Sequence, residues 1–124
     1  MLRIVLVDDE PGALANLEHI FEELPDVIVA GSYTAGEKAL AAVDTDKPDA
    51  VFLDIEMPGK NGLELARELY DTHPEIKVVF VTAYAKYMKE VYGSATDYLL
   101  KPVRKQRIQK TLDILSKHEG GQIG

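Results

Sequence analysis

Five polar residues close short apolar runs along the chain. Asp8 and Asp9 follow Leu2 to Val7, Asp54 follows Ala50 to Leu53, Thr82 follows Ile76 to Val81, and Lys101 follows Asp97 to Leu100. Taken singly each has a plain reading: Asp-Asp-Glu-Pro as a solvated helix entry, Asp54 as a loop cap, Lys-Pro as a turn. Brought to one edge, the three carboxylates repel, at about 4 kcal/mol for each pair of unit charges about 4 Å apart at an effective dielectric near 20. A bound cation relieves that cost. All-oxygen ligation without His or Cys selects a hard ion, and a few carboxylates plus waters suit Mg²⁺, with Mn²⁺ as the alternative, better than Ca²⁺. Lys101 opposite them supplies positive charge for an anion that the metal also touches. Metal, lysine, hydroxyl and carboxylate are the parts of a phosphoryl-transfer site. No nucleotide cradle accompanies them: Gly31 to Lys38 departs from a P-loop by one residue inserted before Lys38, and Ala39 lacks the metal-binding hydroxyl. The phosphoryl group must therefore come from another molecule.

The elements that would carry these residues alternate. Five apolar runs, Leu2 to Val7, Val27 to Tyr33, Ala50 to Leu53, Ile76 to Val81 and Asp97 to Leu100, are each followed by a stretch of helical character. Runs such as IVLV, AVFL and KVVFV are continuously apolar and β-branched, as strands covered on both faces of a parallel sheet must be. Leu14, Leu17, Phe21 and Leu24 mark the buried face of a first helix, with Pro11 suited to its first turn. Thr34 and Glu37 predict a capping box for a second helix running to about Val43; Asn61 and Glu64 predict the same for a third. A fourth, over Lys86 to Tyr92, is expected to be short, partly exposed and mobile, because its apolar residues do not gather on one face. Ile108, Leu112 and Leu115 stripe the last helix. This alternation gives an α/β fold with a doubly wound parallel sheet and helices on both faces. Ligands in such sheets bind at the carboxyl ends of the strands, where the five polar residues fall.

The residues V-D-D-E-P at 7–11, F-L-D-I-E-M-P-G at 52–59, N-G at 61–62, V-T-A at 81–83 and D-Y-L-L-K-P at 97–102 resemble the receiver domain of bacterial two-component response regulators. The likeness covers about residues 2–116. It implies a flavodoxin-like five-stranded sheet of order 2-1-3-4-5 with five helices. It also implies that Asp54 accepts a phosphoryl group from a sensor histidine kinase, and that Asp9, Asp54 and the backbone carbonyl of Glu56 hold Mg²⁺ with Asp8 acting through water. Lys101 and Thr82 would bind phosphoryl oxygens, Tyr98 would be the switch aromatic, and the Lys101-Pro102 bond would be cis. Such a domain is a phosphoacceptor that promotes its own phosphorylation and dephosphorylation, and Glu56 and Tyr84 flank the approach of hydrolytic water. The motifs look most like receivers joined to DNA-binding domains of the LytTR or related transcription-regulator types. An aspartyl-phosphate phosphatase of the haloacid dehalogenase type is disfavoured, since it has D-x-D where Asp54 is followed by Ile55-Glu56 and it carries a cap domain. A degenerate receiver used only for protein binding is the other alternative, disfavoured because every phosphorylation residue is present.

Composition agrees with these exclusions. The 124 residues carry 14 Lys and Arg against 21 Asp and Glu, net -7, the wrong sign for a chain that neutralises nucleic-acid phosphates or anionic lipid. With no cysteine there is no disulfide framework or thiolate chemistry, and no apolar run approaches the roughly 20 residues of a membrane helix. The reading is a soluble cytoplasmic domain over residues 1–118 with a linker or flexible tail at 119–124, touching DNA only through an effector domain outside this chain. The charge is uneven: residues 1–100 hold 19 acids and 8 bases, residues 101–124 hold 2 acids and 6 bases. Tyr84, Tyr87, Tyr92 and Tyr98 with Lys86, Lys89, Arg104 and Lys105 suggest a contact surface of α4, β5 and α5, suited to output or homodimerisation. Plain coverage of sheet and helix edges, and cations near a negative helix end, would explain the same residues. His19, His73 and His118 share no ligand spacing and read as surface or packing residues.

Overall fold

The computed structural model describes residues 1–91 and 95–119, with side chains through Lys117. Its elements run β1 (Leu2–Val7), α1 (Pro11–Glu22), β2 (Val27–Tyr33), α2 (Gly36–Asp46), β3 (Ala50–Leu53), α3 (Gly62–Thr72) and β4 (Lys77–Thr82). A 3-10 turn at Ala85–Tyr87 then leads into α4 (Met88–Val91), followed by β5 (Asp97–Leu100) and α5 (Lys105–Glu119). All strands are parallel, in the order β2-β1-β3-β4-β5. The expected doubly wound sheet is therefore the observed one. Among the described residues no helix is long and apolar enough to cross a membrane.

Two apolar layers sandwich the sheet, and strand alternation decides which residues enter each. Ile4, Leu6, Phe52, Val79, Val81 and Leu99 point to one face, where α1 (Leu14, Leu17, Phe21) and α5 (Ile108, Leu115) cover them. Val5, Val7, Val51, Leu53 and Phe80 point to the other, under α2 (Ala39, Val43), α3 (Leu65, Leu69) and Val91 of α4. Phe21 and Phe52 meet edge to face with centroids 5.3 Å apart. The central strands are consequently buried on both sides, which explains why their sequences show no alternation.

Helix boundaries separate what local sequence encodes from what tertiary contacts impose. Asn61 caps α3 as expected: its side chain accepts from the Glu64 N–H while Glu64 accepts from the Asn61 N–H, both at 3.0 Å. The box expected at Thr34 and Glu37 does not form. Helix α2 starts at Gly36 with Ala35 as its cap residue and no side-chain cap bond, one position later than a Thr34 box requires. It also runs past Val43 to Asp46, for two reasons. Arg3 of β1 donates from Nε and Nη2 to the Asp46 carbonyl at 3.0 and 2.7 Å, and Lys47 turns left-handed (φ 48°) to donate its N–H to Val43. The 3-10 turn and α4 are short as expected, with Met88, Lys89 and Glu90 exposed and Val91 buried; Tyr92 of the expected helix lies outside the described residues. Helix α5 extends through Glu119, and the rest of the expected tail is outside the description.

One polar tie joins β5 to α5. Asp97 accepts two bonds from Arg107, at 2.8 and 2.9 Å, and a third from the Thr111 hydroxyl at 2.8 Å. Thr111 lies fully buried in the stripe that also holds Ile108 and Leu115, so its hydroxyl needs this partner. Burial pushes the Asp97 carboxyl up, but Arg107, Thr111 and the Tyr98 N–H outweigh it and hold it below the usual carboxylate range. A carboxyl so lowered stabilises the fold above its unfolded-state value, and that contribution is lost as pH falls through the folded value. Replacing Arg107 by Ala is expected to cost about 1–3 kcal/mol at neutral pH. The difference from wild type should shrink as pH drops through the carboxylate range, measured by urea melts at a series of pH values; a difference independent of pH would contradict this role.

Candidate functional site

The sheet register brings the sequence-predicted residues to one edge. Val7 pairs with Leu53 at the ends of β1 and β3, and the Asp54 N–H continues that ladder to the Val7 carbonyl at 3.0 Å. Asp8 and Asp54 therefore leave adjacent strands side by side. Thr82 pairs with Leu100 at the ends of β4 and β5, and the Lys101 N–H donates to the Thr82 carbonyl at 2.8 Å. The Lys101-Pro102 peptide is cis, as expected.

Asp8, Asp9 and Asp54 each present a carboxylate oxygen within 4.8 Å of the others. Asp8 and Asp54 are almost fully buried, at 1% and 6% exposure, which makes their negative charge costly unless it is compensated. Lys101 reaches between them, its Nζ 2.7 Å from Asp8 Oδ2 and 3.1 Å from Asp54 Oδ2. Burial works against the ammonium, but bonds to Asp8 and then Asp54 hold it above the usual lysine value. Glu10, exposed at the rim, brings a carboxylate oxygen to 3.8 Å from the same nitrogen. The other Asp8 oxygen accepts the Glu10 N–H at 2.9 Å, fixing the turn into α1.

One cation against three clustered carboxylates leaves the cluster two charges negative. Two buried polar atoms also find no hydrogen-bond partner among the described residues: Asp54 Oδ1 and the hydroxyl of Thr82. Buried polar atoms are nearly always satisfied, and their exceptions concentrate where a ligand or ion acts. Oxygen donors only, a charge deficit of two and an orphaned carboxylate oxygen fit a hard divalent cation.

The loop after β3 is folded tightly under Asp54. Gly62 donates its N–H to the Ile55 carbonyl at 2.8 Å, and a Cβ at this position would lie 2.2 Å from the Asp54 carbonyl oxygen. Only glycine allows that approach, so the Asn61-Gly62 pair combines a helix cap with backbone clearance. Gly59 earlier in the loop takes φ 74°, a left-handed turn natural to glycine.

Outside the three-aspartate cluster lies the side chain of Glu56, whose backbone carbonyl and not its carboxylate is the expected metal ligand. The Glu56 carboxylate turns toward the segment after β4, where the Tyr87 hydroxyl donates to it and Lys86 Nζ lies 3.4 Å away. The Tyr87 bond, helped by Lys86, holds the Glu56 carboxyl below its usual value. Tyr98 packs on Phe80, ring centroids 6.1 Å apart, and donates its hydroxyl to the Tyr84 carbonyl. The expected basic surface on α5 is also divided: Lys105 pairs with Glu23 of α1 at 3.2 Å and Arg107 is committed to Asp97, while Arg104 and Lys110 are exposed. His19 pairs with Glu23 on the exposed side of α1, and His73 pairs with Asp44, which fits surface roles; the His118 side chain lies outside the description. Sequence reasoning missed the Asp97-Arg107-Thr111 tie. Its trace was a threonine in an otherwise apolar helical stripe, four residues after an arginine. It also missed Tyr87 and Lys86 as partners of Glu56, for which spacing offers no signal.

Comparison with known proteins matches this geometry. A family model described as the response regulator receiver domain aligns with residues 4–113. The chain is 37% identical over 123 residues to the transcriptional regulatory protein BtsR of Escherichia coli strain K12, covering 98% of this chain and 51% of that protein. It is likewise 37% identical over 124 residues to the sensory transduction protein LytT of Bacillus anthracis, covering 99% and 50%. The chain thus spans about half the length of these curated relatives. Among solved structures, the response regulatory domain of mrkE from Klebsiella pneumoniae superposes with a TM-score of 0.84 at 30% identity, covering 93% of this chain and 95% of that one. With the sheet order, the clustered aspartates and the lysine after β5 already in place, this chain belongs to the response regulator receiver domain family of two-component systems.

Proposed function

We propose that Asp54 is the phosphoacceptor of this receiver domain and that it takes its phosphoryl group from a histidine kinase. The observation that carries the reading is the orphaned Asp54 Oδ1, on a buried carboxylate whose other oxygen is held by Lys101. A carboxylate oxygen forms the new O–P bond while the P–N bond of the donor phosphohistidine breaks; the electron pair returns to the imidazole, which takes up a proton. With acetyl phosphate the donor P–O bond breaks and acetate leaves with the pair.

Asp9, Asp54 and the Glu56 backbone carbonyl would hold Mg²⁺, with Asp8 acting through water; Mn²⁺ fits the same donors. The ion supplies charge neutralisation, which lets an anionic carboxylate meet an anionic phosphoryl group. Lys101, already between Asp8 and Asp54, stands ready to pair with a phosphoryl oxygen. The Thr82 hydroxyl, buried without a partner among the described residues, would donate to another. A shallow cleft of about 300 Å³ lined by Ala13, Asn16, Leu17 and Val103 reaches Lys101 and offers the donor a place beside α1.

For output we propose the face of α4, β5 and α5, with Tyr98 as its switch residue. Tyr84, Met88 and Leu100 are large, apolar or aromatic and exposed there, with Arg104 and Lys110 nearby on the chain. The BtsR relative is named a transcriptional regulatory protein, and control of transcription is the output this reading favours, with DNA contacted through an effector domain and not through this acidic domain.

Acetyl phosphate with Mg²⁺ should label the wild-type chain, and Asp54→Ala should abolish the label, read by intact mass and phosphate-affinity gels. Full labelling of the variant would overturn the assignment; a wild-type chain that never labels would favour a receiver used only for protein binding. Mg²⁺ at ten times its Kd should stabilise the fold by about 1.4 kcal/mol, a rise of several degrees in melting temperature. Asp9→Asn should erase that rise, and an undiminished shift would remove Asp9 from the ligand set. Beryllofluoride, a phosphoryl mimic, should raise the dimer fraction in sedimentation velocity, and Leu100→Asp should suppress it. An unchanged fraction in the wild type would exclude this face as a phosphorylation-dependent homodimer interface.

A further inference from the structure

Glu56 stands only two residues after Asp54, yet its carboxylate is absent from the cluster of Asp8, Asp9 and Asp54. It is held elsewhere by two neighbours in sequence. The Tyr87 hydroxyl donates to Glu56 Oε2, and Lys86 Nζ approaches the same oxygen at 3.4 Å. Lys86 is in turn fixed over two rings, 5.1 Å from the centre of Tyr84 and 5.2 Å from that of Tyr87. Lys86 and Glu56 are 63% and 38% exposed, so the pair adds little to stability. Its consequence is electrostatic. Asp8, Asp9 and Asp54 with Lys101 carry two negative charges, and Glu10 at the rim, 3.8 Å from the ammonium, makes three, of which a divalent ion cancels two; a free Glu56 carboxylate would add one more, facing every anionic donor.

We infer that Lys86 and Tyr87 are positioning residues for phosphorylation by anionic small-molecule donors, because they hold and neutralise the Glu56 carboxylate away from the mouth of the site. The inference rests on Asp54 as the phosphoacceptor and assigns a task to residues outside the metal and phosphoryl contacts. Release of Glu56 has two effects of opposite sign. Added negative charge slows the approach of a dianionic donor and strengthens the binding of a divalent cation. General loosening of the loops would weaken both.

The test compares the wild-type chain with Lys86→Ala/Tyr87→Phe and with the same variant carrying Glu56→Gln. The double variant is expected to label with acetyl phosphate about fivefold more slowly at low ionic strength, with the deficit fading near about 0.5 M salt as exposed charges are screened. Phosphoramidate, which carries less negative charge, should lose less. Calorimetric titration of Mg²⁺ in the absence of donor should show binding tightened by about two- to fivefold. Adding Glu56→Gln removes the charge and keeps the backbone carbonyl, and should return both quantities toward wild type. Labelling as fast as wild type at low salt, a deficit that persists with Glu56→Gln, or weakened Mg²⁺ binding would each overturn the inference. Failure of the wild-type chain to label at all would instead overturn Asp54 as the phosphoacceptor.

Discussion

The Lys101 ammonium between the Asp8 and Asp54 carboxylates is the interaction on which the rest of this structure turns. Two acids buried to 1% and 6% exposure at the ends of adjacent strands are a liability to the fold, and Lys101 is the cation that reaches both. Its reach depends on where β5 ends, and the end of β5 is fixed twice. The Lys101 N–H is bonded to Thr82, and at the strand's other end Asp97 is clamped by Arg107 and Thr111. Helix α5 thereby fixes the far strand, and the strand places the lysine opposite the acids. The α/β architecture is in this sense a device for holding one cation against several anions while leaving the charge uneven.

That incomplete compensation is what makes the edge chemically useful. A third aspartate and only one lysine leave a deficit that a divalent ion is suited to fill. Complete neutralisation by side chains would have given a more stable edge with less use for a metal or an anion. The same logic separates Glu56 from its neighbours in sequence. Its carboxylate is compensated by Lys86 and Tyr87 at the surface, so the loop after β3 presents one acid to the cluster and a second to the loop after β4.

How much of this could be read from sequence follows from the range of each interaction. Strand-end placement of Asp8, Asp54, Thr82 and Lys101 was legible because continuous β-branched runs announce buried parallel strands, and a parallel sheet puts all its carboxyl ends on one side. The Asn61 box was legible because a cap is made of residues three apart. The Thr34 box had the same signature and failed, because α2 starts one residue later and Ala35 stands where a capping side chain would be needed. Contacts across 31 residues, such as Tyr87 to Glu56, leave no periodic trace. The basic C-terminal segment gave a correct sum and a misleading picture of it. Lys101, Lys105 and Arg107 are each committed to an acid, leaving Arg104 just before α5 and Lys110 and Lys117 on it as the other exposed cations of the segment.

These commitments bear on how a change at the edge could reach the outer face. Thr82 ends β4, and its carbonyl is bonded to the residue that carries the ammonium. Two residues later the Tyr84 carbonyl receives the Tyr98 hydroxyl, so the segment after β4 is tied to β5 at both ends of that short span. Its far end is tied through Tyr87 to Glu56 in the loop after Asp54. Drawing the Thr82 hydroxyl toward a new acceptor would strain a segment held at Lys101, at Tyr98 and at Glu56. Of these three holds, the one at Lys101 lies within the charged cluster, and the one at Glu56 is a partly exposed contact. The tie to Tyr98 joins β5 to that segment beside the exposed Tyr84, so under the proposed switch role of Tyr98 it is the hold whose loss would change the surface that a partner meets.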